Sequence, residues 1–100
     1  MSIVVVATVT PQEGKLEALQ SAFAIATPLI QKEPGCLQYA TYSDGAVLVT
    51  IERWTDDAAL AAHMQAPAIA ALLEHAGELL GAAPEIRTLH DLGFGDVVKD

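Results

Sequence analysis

At 100 residues the chain is long enough for one domain and too short for two. Its composition is 52% hydrophobic and its mean hydropathy is +0.36, more apolar surface than one small core hides, which points to an oligomer. A net charge of -8 repels phosphate backbones and anionic lipid surfaces, so neither nucleic acid nor a membrane is an expected partner.

Residues 2–10 are a Val-rich, β-branched run that predicts a strand. Both of its faces are apolar: Ile3, Val5, Ala7 and Val9 on one, Val4 and Val6 on the other. Such a strand is covered on both sides. Thr10-Pro11-Gln12-Glu13 then predicts a helix start, with Thr10 as cap, Pro11 at the first helical position and Glu13 closing a capping box. Leu16, Leu19, Phe23 and Ile30 follow at helical spacing. Pro28 is expected to kink that helix or open its final turn, and Pro34-Gly35 to stop it.

Two strands over 36–42 and 47–54 flank a hairpin signal at Ser43-Asp44-Gly45. Thr55-Asp56-Asp57 caps a second helix, which Pro67 interrupts and which continues over 68–80 to Gly81. A last strand is predicted over 85–92, with an irregular tail over 93–100. The chain shows no repeat or linker, so residues 1–100 are taken as a single domain.

The order β-α-β-β-α-β is that of the ferredoxin-like α+β fold, a four-stranded antiparallel sheet with helices on one face. Two helices leave the other face bare. Each Val or Ile in water there forfeits roughly 1.5–3 kcal/mol. The same face of a second copy is the simplest cover, so a homodimer is expected.

Cys36 is the one cysteine, so no internal disulfide forms. The N-terminus carries no basic leader and no apolar run reaches membrane-spanning length, and a cytoplasmic location is expected. Three scattered histidines and one cysteine have no metal-ligand spacing, so no metal site is expected.

Glu33-Pro34-Gly35-Cys36-Leu37-Gln38-Tyr39, Ile51-Glu52-Arg53-Trp54 and Ala62-His63-Met64-Gln65-Ala66-Pro67 occur in that order, and Gly14 precedes them. This series resembles the antibiotic biosynthesis monooxygenase (ABM) family, nearest to its small quinol-monooxygenase-like members. The resemblance implies a dimeric α/β barrel and a pocket between sheet and helices. It also implies oxidation of a small quinol, anthrone or related phenol by O₂ as co-substrate, without a bound cofactor. Other relatives degrade haem, isomerise a phosphorylated signalling sugar or have no known activity.

Glu52 and Trp54 share strand parity, and His63 lies on the helix that follows. Cofactor-free oxygenation needs a base that turns a phenol into an electron-rich anion. His63 is the candidate base, Glu52 its orienting or proton-sharing partner, and Trp54 an aromatic wall for the substrate ring. Tyr39 and Tyr42 lie on opposite faces of one strand, so at most one phenol can face the pocket. Each residue also has a structural reading: Trp54 as a core aromatic, Glu52 as a satisfied sheet residue, His63 as a helix-end histidine.

Anthrone-oxidising and haem-degrading relatives place an asparagine in the pocket, and this chain contains none. The first strand offers Ala7 and Thr8 instead, which makes Thr8 a substrate-binding candidate. Leu72 and Leu73 occupy the place of the haem degraders' axial histidine, which argues against haem degradation. Two other readings stay open: a non-catalytic dimeric small-molecule-binding or accessory protein using the same pocket, and, ranked last, a sugar-phosphate isomerase, whose pocket should be basic.

Overall fold

The computed structural model describes residues 2–95. Its layering follows from parity on the first strand. β1 (Ile3–Val9) buries Ile3, Val5, Ala7 and Val9 beneath the helices, while Val4, Val6 and Thr8 on the other face are half-buried. β3 (Leu48–Trp54) runs antiparallel beside it with Val5 opposite Glu52, so Leu48, Thr50, Glu52 and Trp54 join the helix side. β2 (Cys36–Ser43) pairs with the outer edge of β3, setting Tyr39 opposite Glu52. β4 (Glu85–His90) pairs with the free edge of β1, setting Thr88 opposite Val5 and Ile86 opposite Ala7. The order β2-β3-β1-β4, antiparallel throughout, is the ferredoxin-like arrangement that the element order predicts.

The helix layer differs from expectation in two places. α1 (Leu16–Gln31) starts well after Thr10. Pro11 instead bridges Leu80, the Gln12 amide donates to the Leu79 carbonyl (2.7 Å) and the Gly81 amide to the Thr10 carbonyl (2.9 Å). A segment tied to residues seventy positions away cannot wind into a helix, whatever its capping signals. Gly14, at φ +78°, then turns the chain and Lys15 caps α1 without a side-chain bond. Pro28 sits within α1 and does not end it; it and Ala24, whose carbonyl loses its helical partner, are both exposed to water.

The second helical region is three pieces, α2 (Asp57–His63), α3 (Pro67–Glu74) and α4 (Ala76–Leu79). Asp56 caps α2 by accepting from the Ala59 amide at 2.8 Å, and Pro67 opens α3 at a position where its missing N–H costs nothing. β4 ends at His90 because its partner begins at Ile3. Of the tail predicted over 93–100, residues 96–100 lie outside the described residues. No helix among the described residues is long and apolar enough to cross a membrane.

The core divides into two clusters. Trp54, Ile30, Ile3, Val5, Tyr39, Ala26 and Ala68 pack at one end; Val9, Leu19, Phe23 and Leu48 pack at the other. All of β4 is exposed, so the helices roof three strands and leave the fourth bare.

Gly35 ties the two halves together. Its φ is +81°, its carbonyl accepts from the Thr55 amide at 2.9 Å, and a Cβ there would lie 2.5 Å from the Ala59 Cβ and 2.7 Å from the Thr55 hydroxyl. Gly45 also has a positive φ, +94°, but open space around it. Gly35→Ala is therefore expected to lower unfolding free energy by more than about 2 kcal/mol, and Gly45→Ala by about 1 kcal/mol. Urea unfolding of the two variants measures the difference, which isolates the clash from the backbone strain.

Candidate active site

Between the two core clusters, the sheet and the helices enclose a cavity of about 300 Å³. That is the lower end of the range for small-molecule sites. Val5, Ala7 and Val9 form its floor, and Phe23, Leu60 and Leu72 lie above them. It opens toward β4, where Ile86 is 53% exposed. The walls are almost wholly apolar, and Tyr39, Thr50, Glu52 and His63 bring the ionisable and most of the polar groups to them.

Strand parity brings Thr50, Glu52 and Trp54 to one face. Glu52 is buried, and both of its oxygens are occupied. The Trp54 indole N–H donates to Oε1 at 3.0 Å and the Thr50 hydroxyl to Oε2 at 2.8 Å. These bonds are what a carboxylate needs to sit in an apolar wall. Trp54 is fully buried in the core behind Glu52 and is not part of the cavity lining, so it orients the carboxylate where the sequence suggested an aromatic wall.

His63 is the last residue of α2, a position fixed by the Asp56 cap seven residues earlier. Its ring stacks at a tilt on Trp54, with centroids 4.4 Å apart, and lies 5.9 Å from the ring of Tyr39. Nδ1 is 2.7 Å from Glu33 Oε1, and Nε2 is 3.9 Å from Glu52 Oε1. A carboxylate can only accept, so Nδ1 carries the hydrogen in this pair. Nε2 then faces the polar end of the cavity, 3.9 Å from the Glu52 carboxylate and outside hydrogen-bond distance of it.

Glu33 has no role in the sequence reading. Its carboxylate follows the C-terminus of α1, where the helix dipole disfavours negative charge. That local misfit, just before Pro34-Gly35, is the signal that a partner elsewhere holds it. The Gly35 contact docks this turn on the start of α2 and so carries Glu33 to His63.

Tyr39 faces the cavity, and burial pushes its phenol above the usual tyrosine range, with the charges of Glu52 and Glu33 adding to the shift and Thr50 opposing it. It is a neutral hydroxyl at any ordinary pH. Tyr42 and Thr8 lie on the opposite face, both paired with Val49, and neither lines the cavity. The parity of β1 sends Ala7 inward and Thr8 outward; the hydroxyl that does face the cavity from the sheet's centre is Thr50, two residues before Glu52.

Cys36 is half-buried against the Trp54 cluster, and burial raises its thiol above the ordinary range. His75 is exposed on the helix side and His90 on β4. Among the described residues no group of three His, Cys, Asp or Glu side chains is arranged to hold a metal ion.

The family model for antibiotic biosynthesis monooxygenases matches residues 2–75. The chain belongs to that family. Among solved structures, it is similar to Rv0793 of Mycobacterium tuberculosis (26% identity, TM-score 0.87), over 96% of this chain and all of the other. It is similar to PA3566 of Pseudomonas aeruginosa at 29% identity and TM-score 0.85, over 92% and 95% of the two chains. A Caulobacter crescentus protein provisionally named as an antibiotic biosynthesis monooxygenase is 27% identical, with TM-score 0.82 over 91% and 90%. No curated protein matches the chain. The family match includes every residue of the Glu33, Glu52, Trp54 and His63 constellation and stops short of β4, the open side of the cavity.

The raised Tyr39 phenol has a consequence for alkaline stability. The unfolded chain ionises Tyr39 near pH 10 while the folded chain holds it neutral to higher pH. Stability is therefore intact below about pH 10 and falls as pH rises above it. Tyr39→Phe is expected to flatten that fall between about pH 10 and 12, read from urea midpoints across the range.

Proposed function

We propose that this ABM-family protein is a cofactor-independent monooxygenase that oxidises a small quinol, anthrone or related phenol with O₂. The observation that carries the reading is His63, held through Nδ1 by Glu33 at 2.7 Å, with Nε2 free at the polar end of an otherwise apolar cavity. Geometry of that kind suits a general base. Glu52 beside Nε2 stabilises the imidazolium that forms, Tyr39 and Thr50 supply hydroxyls near the substrate oxygen, and the apolar walls hold the ring.

In the reaction, Nε2 takes the proton of the substrate hydroxyl. The resulting anion passes an electron to O₂, and the aryloxyl radical and superoxide combine at a ring carbon that still bears hydrogen. The O–O bond of that peroxide breaks as the carbon loses its hydrogen as a proton. One oxygen stays as a new carbonyl, and the other leaves as water, which takes up the proton returned from His63 and the one lost by the carbon. The substrate supplies all four electrons that O₂ takes up, so no external reductant enters.

The reading includes a homodimer, and a cytoplasmic site of action where the lone Cys36 stays reduced. Tyr42, Ile51 and Leu89 are exposed on the sheet face away from the helices, beside Val4, Val6 and Val49. A second copy on that face supports the association by burying them. Ile51→Glu places a charge at its centre and is expected to convert a dimeric mass into a monomeric one in sedimentation at micromolar concentration.

The same cavity also suits a second reading, a binding or accessory protein without turnover, because both oxygens of Glu52 are already occupied by protein donors. Oxygen uptake separates the two. Metal-free protein with a panel of reduced quinones and anthrones is expected to consume O₂ above the autoxidation rate. His63→Ala should lower that rate by roughly 10²–10⁴-fold, and Glu33→Gln by less. Saturable binding with no uptake for any substrate would move the protein to the binding class.

A further inference from the structure

We infer that the cavity admits ligands only when they arrive uncharged, and that Glu52 makes it reject aromatic carboxylates, phosphates and sulfonates of the same shape. The inference deepens the reading above by naming the charge class of the ligand, and it is tested by binding, not by turnover.

The carrying observation is where the positive charge lies. The sequence has five Lys and Arg. Of the four among the described residues, none lines the cavity. Lys15 and Lys32 are exposed at the two ends of α1. Arg53 and Arg87 stand opposite Val4 and Val6, on the sheet face turned away from the helices. Arg53 is also engaged there, donating to the Ser2 hydroxyl at 2.8 Å and reaching Asp91 at 3.5 Å. Sheet parity therefore removes both arginines that stand within the sheet.

What faces the ligand is of the other sign. Glu52 is in the wall, and Glu33 lies behind His63. A protonated His63 would stand between two carboxylates, so its charge is already balanced before any ligand enters. Tyr39 stays neutral. An anion entering this space gains no counter-charge from the described residues and meets a carboxylate across an apolar medium that screens poorly.

A hydroxyaromatic meets no such barrier. It enters neutral and becomes an anion only by handing its proton to Nε2, which leaves the total charge of site plus ligand unchanged. The same absence of cations among the described lining residues weighs against the sugar-phosphate isomerase reading.

The test uses three ligands of one shape: 2-naphthol, 2-naphthamide and 2-naphthoate at pH 7. Trp54 is the single tryptophan of the chain and its ring lies 4.4 Å from His63, so its fluorescence reports occupancy. The two uncharged ligands are expected to bind, with naphthoate weaker by about tenfold or more. Glu52→Gln is expected to narrow that gap by strengthening naphthoate, and a second variant keeps the inference testable where that protein does not fold. Thr88 is exposed, lines the cavity and flanks Val5 on the side away from Glu52, so the two lie about 10 Å apart on one face. Thr88→Lys places an ammonium at the mouth and is expected to narrow the gap by strengthening naphthoate.

Equal affinity for all three ligands, an unchanged gap in Thr88→Lys, or no binding of either uncharged ligand overturns the inference. Selective binding of naphthol and naphthamide without oxygen uptake from any quinol leaves the charge selection standing and removes the monooxygenase reading alone.

Discussion

A carboxylate in an apolar wall is tolerated only when its oxygens are satisfied, and the site is built around meeting that condition for Glu52. Two donors come from its own strand, Thr50 and Trp54, each two residues away and on the same face by parity. Satisfying Glu52 locally frees His63 from doing so. The imidazole contributes no hydrogen bond to Glu52 and is held from the opposite side by Glu33, which leaves Nε2 as the unengaged polar atom of the cluster. An imidazole whose Nε2 is left unengaged beside an apolar cavity is thus a by-product of how one buried carboxylate is satisfied.

The cavity itself follows from the way the helix layer fails to cover the sheet. Three strands lie under helices and β4 does not. The interior consequently condenses into two separate clusters, with space between them that opens past Ile86 and Thr88. Sealed and empty, 300 Å³ would cost about 7 kcal/mol at the usual rate for engineered cavities, much of a small domain's total stability. An open mouth lets solvent or a ligand occupy the space, and that is the form in which a chain of this length can carry such a void.

Particular elements show how far the amino-acid order alone reaches. Alternation along β3 was enough to put Glu52 and Trp54 together, and alternation along β2 to split Tyr39 from Tyr42, because the period of a strand is a local property. Capping by Asp56 and the arrest at Pro67 were legible for the same reason. The start of α1 was not. Thr10-Pro11-Gln12-Glu13 carries every local mark of a helix N-terminus, yet its backbone groups are taken by Leu79, Leu80 and Gly81, which lie far away in the chain.

The sequence by itself therefore determined the order of elements, the fold class and the parity of each strand, all of which depend on residues a few positions apart. Tertiary structure decided the partner of His63 and the burial of Trp54 behind Glu52 and not across the cavity. Glu33 and His63 are thirty residues apart, and nothing near either one requires the other. They meet because Gly35 packs the end of α1 against the start of α2, a contact between elements that each form for reasons of their own.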